Sequence, residues 1–207
     1  MKVKSFLLVS LGLLCLSSCA SLFLTTSYDV GLTSVEAPKD AKQQYGETQV
    51  VMLNEDGVSK YSYEDDLIKI TWFTTSTSFE FVLRNKSSHS IKIPWDEIAY
   101  INPNGESMRC IHSGVKLIDR NNAQAPSIIA KNSSLSDMLV PSDNIYYVSG
   151  NYGGWQTKNL FGKYSSQEAA NTSVYRGSKV YIVFPIIIEN VTNEYTFQFQ
   201  VKDIIVK

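Results

Sequence analysis

The chain has 207 residues, with 19 Lys and Arg against 20 Asp and Glu, a formal net charge of −1. This is no polybasic surface, so nucleic-acid binding and peripheral attachment to anionic lipid are poorly supported. The length suits one large β domain or two small ones, and two histidines leave catalysis poorly supplied.

The first element is a tripartite leader. Lys2 and Lys4 make a basic start, Phe6 to Leu16 an apolar run, and Leu16-Ser17-Ser18-Cys19 closes it. The apolar run falls well short of the ~20 residues a bilayer core requires. Small Ser17 and Ser18 fit a peptidase that rejects bulk beside its cut. Leu16 to Cys19 resembles the lipobox of a bacterial lipoprotein signal peptide. The resemblance implies a signal peptide over residues 1–18, a diacylglycerol on the Cys19 thiol, cleavage before it and acylation of the new amine. Two or more acyl chains hold where one is marginal, each buried methylene being worth about 0.8 kcal/mol. A plain secretory signal with Cys19 incidental is the competing reading. Ala20 and Ser21 are neutral, so no Asp stands where one resembles an inner-membrane retention signal. The expected location is lipid-anchored, in the outer membrane facing the periplasm; a Gram-positive source would put it on the outer face of its only membrane. Cys15 leaves with the signal and Cys19 carries lipid, so Cys110 is the one free thiol and no intramolecular disulfide framework forms. No later run is long enough to span a membrane.

Residues 19–46 read as a tether, mixing polar residues with Gly31 and Pro38. The alternative is that Ser27–Thr33 pairs as a first strand. From residue 47 the chain reads as one β domain. Thr48–Leu53 is a strand closed by the turn residues Asn54-Glu55-Asp56-Gly57. Leu67–Phe73 sets Ile68, Ile70 and Trp72 on one face, and Phe79–Arg84 does the same with Phe79, Phe81 and Leu83. Further strands are expected at Ile91–Ile93, Glu97–Ile101, Ser107–Ser113, Val115–Ile118, Ser127–Ala130, Asp137–Val140 and Ile145–Val148. Lys179–Ile188 is apolar enough for burial on both faces, and Tyr195–Lys202 alternates throughout. One short helix, near 166–171, follows the capping box Ser165-Ser166-Gln167-Glu168.

Short strands at close spacing predict an all-β antiparallel sandwich. The run Phe79-Glu80-Phe81-Val82-Leu83-Arg84-Asn85-Lys86-Ser87-Ser88, then Pro94 and a strand into Asn104-Gly105, resembles the front of a bacterial immunoglobulin-like domain. Ile129-Ala130-Lys131-Asn132-Ser133-Ser134 and the closing Tyr195-Thr196-Phe197 suit the same plan. The resemblance implies a fold and carries no catalytic residue.

Chemistry-bearing residues are few. Cys110 and His112 share a strand face, as a thiolate pair or half a metal site would, but Met108 on the same face favours packing. No second His/Cys pair completes a zinc set, so no metal or cofactor is expected. Glu64-Asp65-Asp66 and Asp96-Glu97 lack calcium-loop spacing and read as solvated turns. Asn132, Asn171 and Asn190 each begin an N-x-S/T triplet, which means little in a bacterial lipoprotein. The most suggestive segment is residues 149–162, rich in glycine, with Tyr152 and Trp155 as candidate ligand-binding aromatics. Its plain alternative is a long loop whose Trp155 folds back over the sandwich edge. The expected function is a non-enzymatic envelope lipoprotein that binds or scaffolds another envelope component, an envelope protein or a glycan. The alternative is a glycan-binding module using that loop.

Overall fold

The computed structural model describes residues 24–38, 49–55 and 58–207. The expected signal peptide, Cys19, residues 20–23 and 39–46 of the expected tether, and the tip of the expected 54–57 turn lie outside the described residues. The strands are β1 (Thr26–Glu36), β2 (Gln49–Glu55), β3 (Val58–Glu64), β4 (Ile68–Thr74), β5 (Phe79–Asn85), β6 (Ile91–Ile93) and β7 (Ala99–Ile101). They continue as β8 (Ser107–Ile111), β9 (Ser127–Ile129), β10 (Ser134–Pro141), β11 (Ile145–Val148), β12 (Gly154–Thr157), β13 (Lys179–Ile188) and β14 (Val191–Val206). The α-helix α1 (Gln167–Asn171) sits between β12 and β13.

Among the described residues the protein is all-β and every strand pairing is antiparallel. One hydrogen-bonded path runs β1-β14-β13-β7-β8-β10-β5-β4-β3-β2, with β6 and β9 branching from β13. The half of the path around β13 and β14 is curled into a half-barrel. Strand β10 makes the corner: its residues 134–139 pair with β5, and Val140 and Pro141 pair with Ile111 and Cys110 of β8. The two halves therefore face one another across a shared core.

Alternation builds that core. Ile68, Ile70 and Trp72 of β4 and Phe79, Phe81 and Leu83 of β5 are all buried, each set on one face as the period of two requires. They meet Phe184 of β13 and Phe197 and Phe199 of β14. Trp72 packs edge-on against all three, at centroid distances of 6.0, 5.2 and 5.6 Å. Pro185 lies within β13 at a gap between the β7 and β6 pairings, so that side of the strand has no partner there. The buried Asn85 that ends β5 anchors the loop after it. Its Nδ2 donates to the carbonyls of His89 (2.7 Å) and Ile129 (3.0 Å), and its Oδ1 accepts from the Ser87 backbone N–H (2.9 Å). Glu189 and Asn190, both at positive φ (49° and 68°), form the tight turn between β13 and β14.

Four expectations are corrected. Thr26–Glu36, read within the tether, is β1, and it pairs with β14 from Thr26↔Val206 to Glu36↔Thr196. Its apolar Val30 and Leu32 are buried, a burial that the flanking polar residues hide in the sequence. Val58–Glu64, unassigned from sequence, is β3, with Tyr61 and Tyr63 buried on alternate positions. Val115–Ile118 is not a strand; Leu117–Asp119 forms a 3-10 turn. Helix α1 is capped by Ser166, whose hydroxyl accepts from Ala169 N–H at 3.2 Å, so Ser165 and Glu168 do not form the expected box.

Candidate functional site

The segment at 149–162 is not one loop. Its first part completes a hairpin, β11 paired with β12 in the register Ile145↔Thr157, Tyr146↔Gln156, Tyr147↔Trp155 and Val148↔Gly154. This hairpin stands apart from the main path. The turn depends on glycine: Gly150 and Gly154 sit at φ 120° and 140°, and a Cβ at Gly153 would collide with the Val148 carbonyl.

Pairing sorts the hairpin's aromatics onto two faces. Tyr147 and Trp155 are opposite one another, edge to face at 5.5 Å. Trp155 packs beside a small second core of Ile111, Val140 and Ile145, and the Arg120 guanidinium lies 4.7 Å from its ring centroid. Tyr152, at the tip, is fully exposed. The two residues singled out from sequence thus part company: Trp155 folds back onto the body and meets Tyr147 edge to face, and Tyr152 points to solvent.

The opposite face of the hairpin borders a cleft of about 590 Å³. Tyr146 and Gln156 form one wall, with the Tyr146 hydroxyl donating to Gln156 Oε1 at 3.2 Å. The turn at Asn102–Asn104 between β7 and β8 forms the other wall. It is held by the Asn102 carbonyl oxygen of the side chain, which accepts from the N–H groups of Asn104 (2.9 Å) and Glu106 (3.0 Å). The segment after β12 runs along the cleft, tied down by Lys158 N–H to the Asn144 carbonyl (2.7 Å) and Leu160 N–H to the Ser76 carbonyl (2.8 Å). Phe161 then plugs the body, edge-on to Tyr175 at 5.7 Å.

Tyr100 of β7 contributes to the cleft from below and is 2% exposed. Its hydroxyl is buried with no hydrogen-bond partner among the described residues. Burial pushes the Tyr100 phenol above its ordinary range, and Cys110 and Tyr175 add to the shift. The phenol keeps its proton and can both donate and accept. Lys158 carries its ammonium 5.6 Å from the Tyr146 ring centroid.

The remaining sequence candidates resolve as packing. Cys110 is buried and its thiol is pushed up to about 12 by burial, so it is no nucleophile. His112 stacks flat on Trp95 at 4.1 Å and points Nδ1 at Asp137 Oδ2, 3.3 Å away, rather than at Cys110. The acidic triplet splits. Glu64 pairs with Lys69 and Lys86, which hold its carboxyl below the usual range. Asp65 is not solvated: it is buried, with Oδ2 accepting from the hydroxyls of Tyr195 (2.8 Å) and Tyr63 (3.1 Å) and Oδ1 from the N–H groups of Leu67 and Ile68, both at 2.8 Å. Asp96 loses some hydration, yet Arg109 and Gln124 hold its carboxyl below the usual range. Among the described residues no three His, Cys, Asp or Glu side chains gather as a metal site.

Tyr100, Tyr146 and Lys158 were not legible as a site. Tyr146 and Gln156 alternate with Tyr147 and Trp155, but only the strand pairing shows which of them share a face. Comparisons with protein-family models, with curated proteins and with solved structures find no match.

Proposed function

We propose that this chain is a non-enzymatic, lipid-anchored recognition protein of a bacterial cell envelope. It is held by Cys19 in the outer membrane, facing the periplasm, and binds another envelope component at the end of the domain that carries the β11–β12 hairpin. The observation that carries the recognition part is the cleft between that hairpin and the β7–β8 turn, which has a buried, unpartnered hydroxyl beneath it. The anchoring part rests on the lipobox. Confinement to a thin layer at the membrane raises the domain's effective concentration for other membrane-held partners. The finer fold reading, an immunoglobulin-like sandwich, is supported by antiparallel pairing throughout and by two apolar faces packed on one core. The curl of the β13–β14 half departs from that plan.

The second reading, a glycan-binding module, is favoured by the amide and tyrosine side chains along the cleft. It moves the binding residues from Tyr152 and Trp155 to Tyr146, Gln156 and Tyr100.

The test is membrane fractionation of the native chain beside Cys19→Ser, with the proteins that co-purify in mild detergent identified by mass spectrometry. The native chain is expected in the outer-membrane fraction and the variant in the soluble fraction. Recovery of both in one fraction overturns the anchor. A partner that stays bound after residues 150–162 are deleted overturns the hairpin end as the recognition face.

A further inference from the structure

We infer that the cleft beside the β11–β12 hairpin is a binding site for a sugar that carries a carboxylate, with Lys158 taking the charge and Tyr146 the ring. This rests on the recognition reading above and deepens it.

Four features of the cleft lead there. Its lining contains no Asp or Glu but does contain Lys158 and Lys163, so it favours an anion over a cation. Its walls include the amide residues Asn144, Gln156 and Asn159, whose side chains carry donors and acceptors together, as a ring of hydroxyls demands. An acyl chain or an apolar peptide would leave these groups unpaired. The third feature is the placement of charge over aromatic surface. The Lys158 ammonium lies 5.6 Å from the Tyr146 centroid, so a carboxylate held by Lys158 sets the attached ring beside the tyrosine. Tyr146 is oriented for this by its hydrogen bond to Gln156.

The fourth feature is Tyr100. A buried hydroxyl without a partner carries a desolvation cost that Phe would avoid. The rest of the Tyr100 side chain packs in the core, 5.8 Å from Phe79, so Phe would fit the same place. Asp29 Oδ1 and Trp72 Nε1 are likewise buried without a partner among the described residues, but of the three only Tyr100 lines this cleft, where a ligand group would complete it.

A carboxylate-bearing sugar could come from an acidic polysaccharide or from a cell-wall glycan, and two titrations separate these sources. The full chain in detergent micelles is titrated with glucuronic acid against glucose, and with N-acetylmuramic acid against N-acetylglucosamine, followed by saturation-transfer NMR. In at least one pair the acid is expected to bind about tenfold tighter than its neutral partner, the scale of one charged hydrogen bond. Lys158→Gln, an exposed change that leaves folding alone, is expected to erase that preference. Tyr100→Phe is expected to weaken both sugars of the pair without lowering the melting temperature. Equal binding of acid and neutral sugar, no binding of any of the four, or a Lys158→Gln variant that keeps the preference would each overturn the inference. Loss of all sugar binding alongside a protein partner that still requires the hairpin would defeat this inference and leave the recognition reading standing.

Discussion

Asp65 lies where the two halves of the path meet, and it shows what a single side chain can decide. Tyr63 comes from β3 and Tyr195 from β14, and both hydroxyls end on the same carboxylate oxygen. Removing the carboxylate takes a buried acceptor away from these two hydroxyls and from the backbone N–H groups of Leu67 and Ile68. Asp65→Ala is expected to lower the unfolding free energy by about 3 kcal/mol or more, read from urea denaturation. A loss under about 0.5 kcal/mol, the level of an ordinary surface change, would rule out the buried network. Cys110 makes a different prediction. Its thiol ordinarily ionises near 9.0 and is pushed up to about 12 by burial. Below pH about 9 both folded and unfolded chains keep the proton, and the stability tied to the thiol is fully present. Between about 9 and 12 the unfolded chain ionises and the folded one does not, so stability falls as pH rises. Over that window the loss is on the order of 4 kcal/mol, at about 1.4 kcal/mol per pH unit. Tyr28 and Tyr100, also raised by burial, add to the alkaline loss, so the comparison needed is with Cys110→Ala. The variant should lose stability less steeply above pH 9 in denaturant titrations; parallel curves would contradict a buried neutral thiol.

At the scale of the element, the β11–β12 hairpin divides its aromatics by face. Trp155 touches Tyr147, lies under Arg120 and packs beside Ile111, Val140 and Ile145. Tyr152 touches solvent alone. Truncating Trp155 to Ala is expected to cost about 2 kcal/mol, less than a fully buried Trp because one side is open. Tyr152→Ala should leave the denaturation midpoint within about 0.5 kcal/mol of the native chain. The reverse ranking would mean that Tyr152, not Trp155, anchors the hairpin. The sequence showed the tyrosines, the tryptophan and the glycines of this segment, and left open whether Trp155 folds back or meets a ligand. It could not show that Tyr146 and Gln156 form a wall, because that depends on a pairing register fixed by the turn at Gly150 to Gly154.

For the whole molecule, the path of strands leaves two edges, β1 and β2, and brings them near each other without pairing. Strand β1 packs against β3 there, and Gly31 lies beside Tyr61 of β3 and Lys202 of β14. A methyl group at Gly31 would run into the end of Lys202 and come within 2.8 Å of the Tyr61 hydroxyl. Lys202 itself donates to that hydroxyl at 3.0 Å and lies over the Tyr61 ring. Gly31→Ala is therefore expected to displace Lys202 and cost about 1–2 kcal/mol, within the range for overpacking. A thermal midpoint equal to that of the native chain would show that this seam is loose. The closure also explains why β1 belongs to the folded body: it supplies buried Val30 and Leu32 to the core and completes the pairing of the long β14.

The sequence by itself determined the class of structure and the faces of its clearest strands. A period of two is local, so Ile68, Ile70 and Trp72, or Phe79, Phe81 and Leu83, declare their buried side without knowledge of a partner. It also carried the resemblance of Leu16 to Cys19 to a lipobox, which needs only contiguous residues. Only the tertiary structure decided the rest, because it depends on residues far apart in the chain. Strand β1, mostly polar, reads from sequence only as an alternative to tether at Ser27–Thr33, and it forms because β14, some 165 residues later by the Thr33–Gln198 hydrogen bond, offers it an edge. Asp65 looks like a solvated charge until Tyr195 is brought to it from 130 positions away. The cleft joins Tyr100 and the Asn102 turn to Tyr146, Lys158 and Tyr175, and no local pattern records which side chains a sheet corner and a hairpin will bring together.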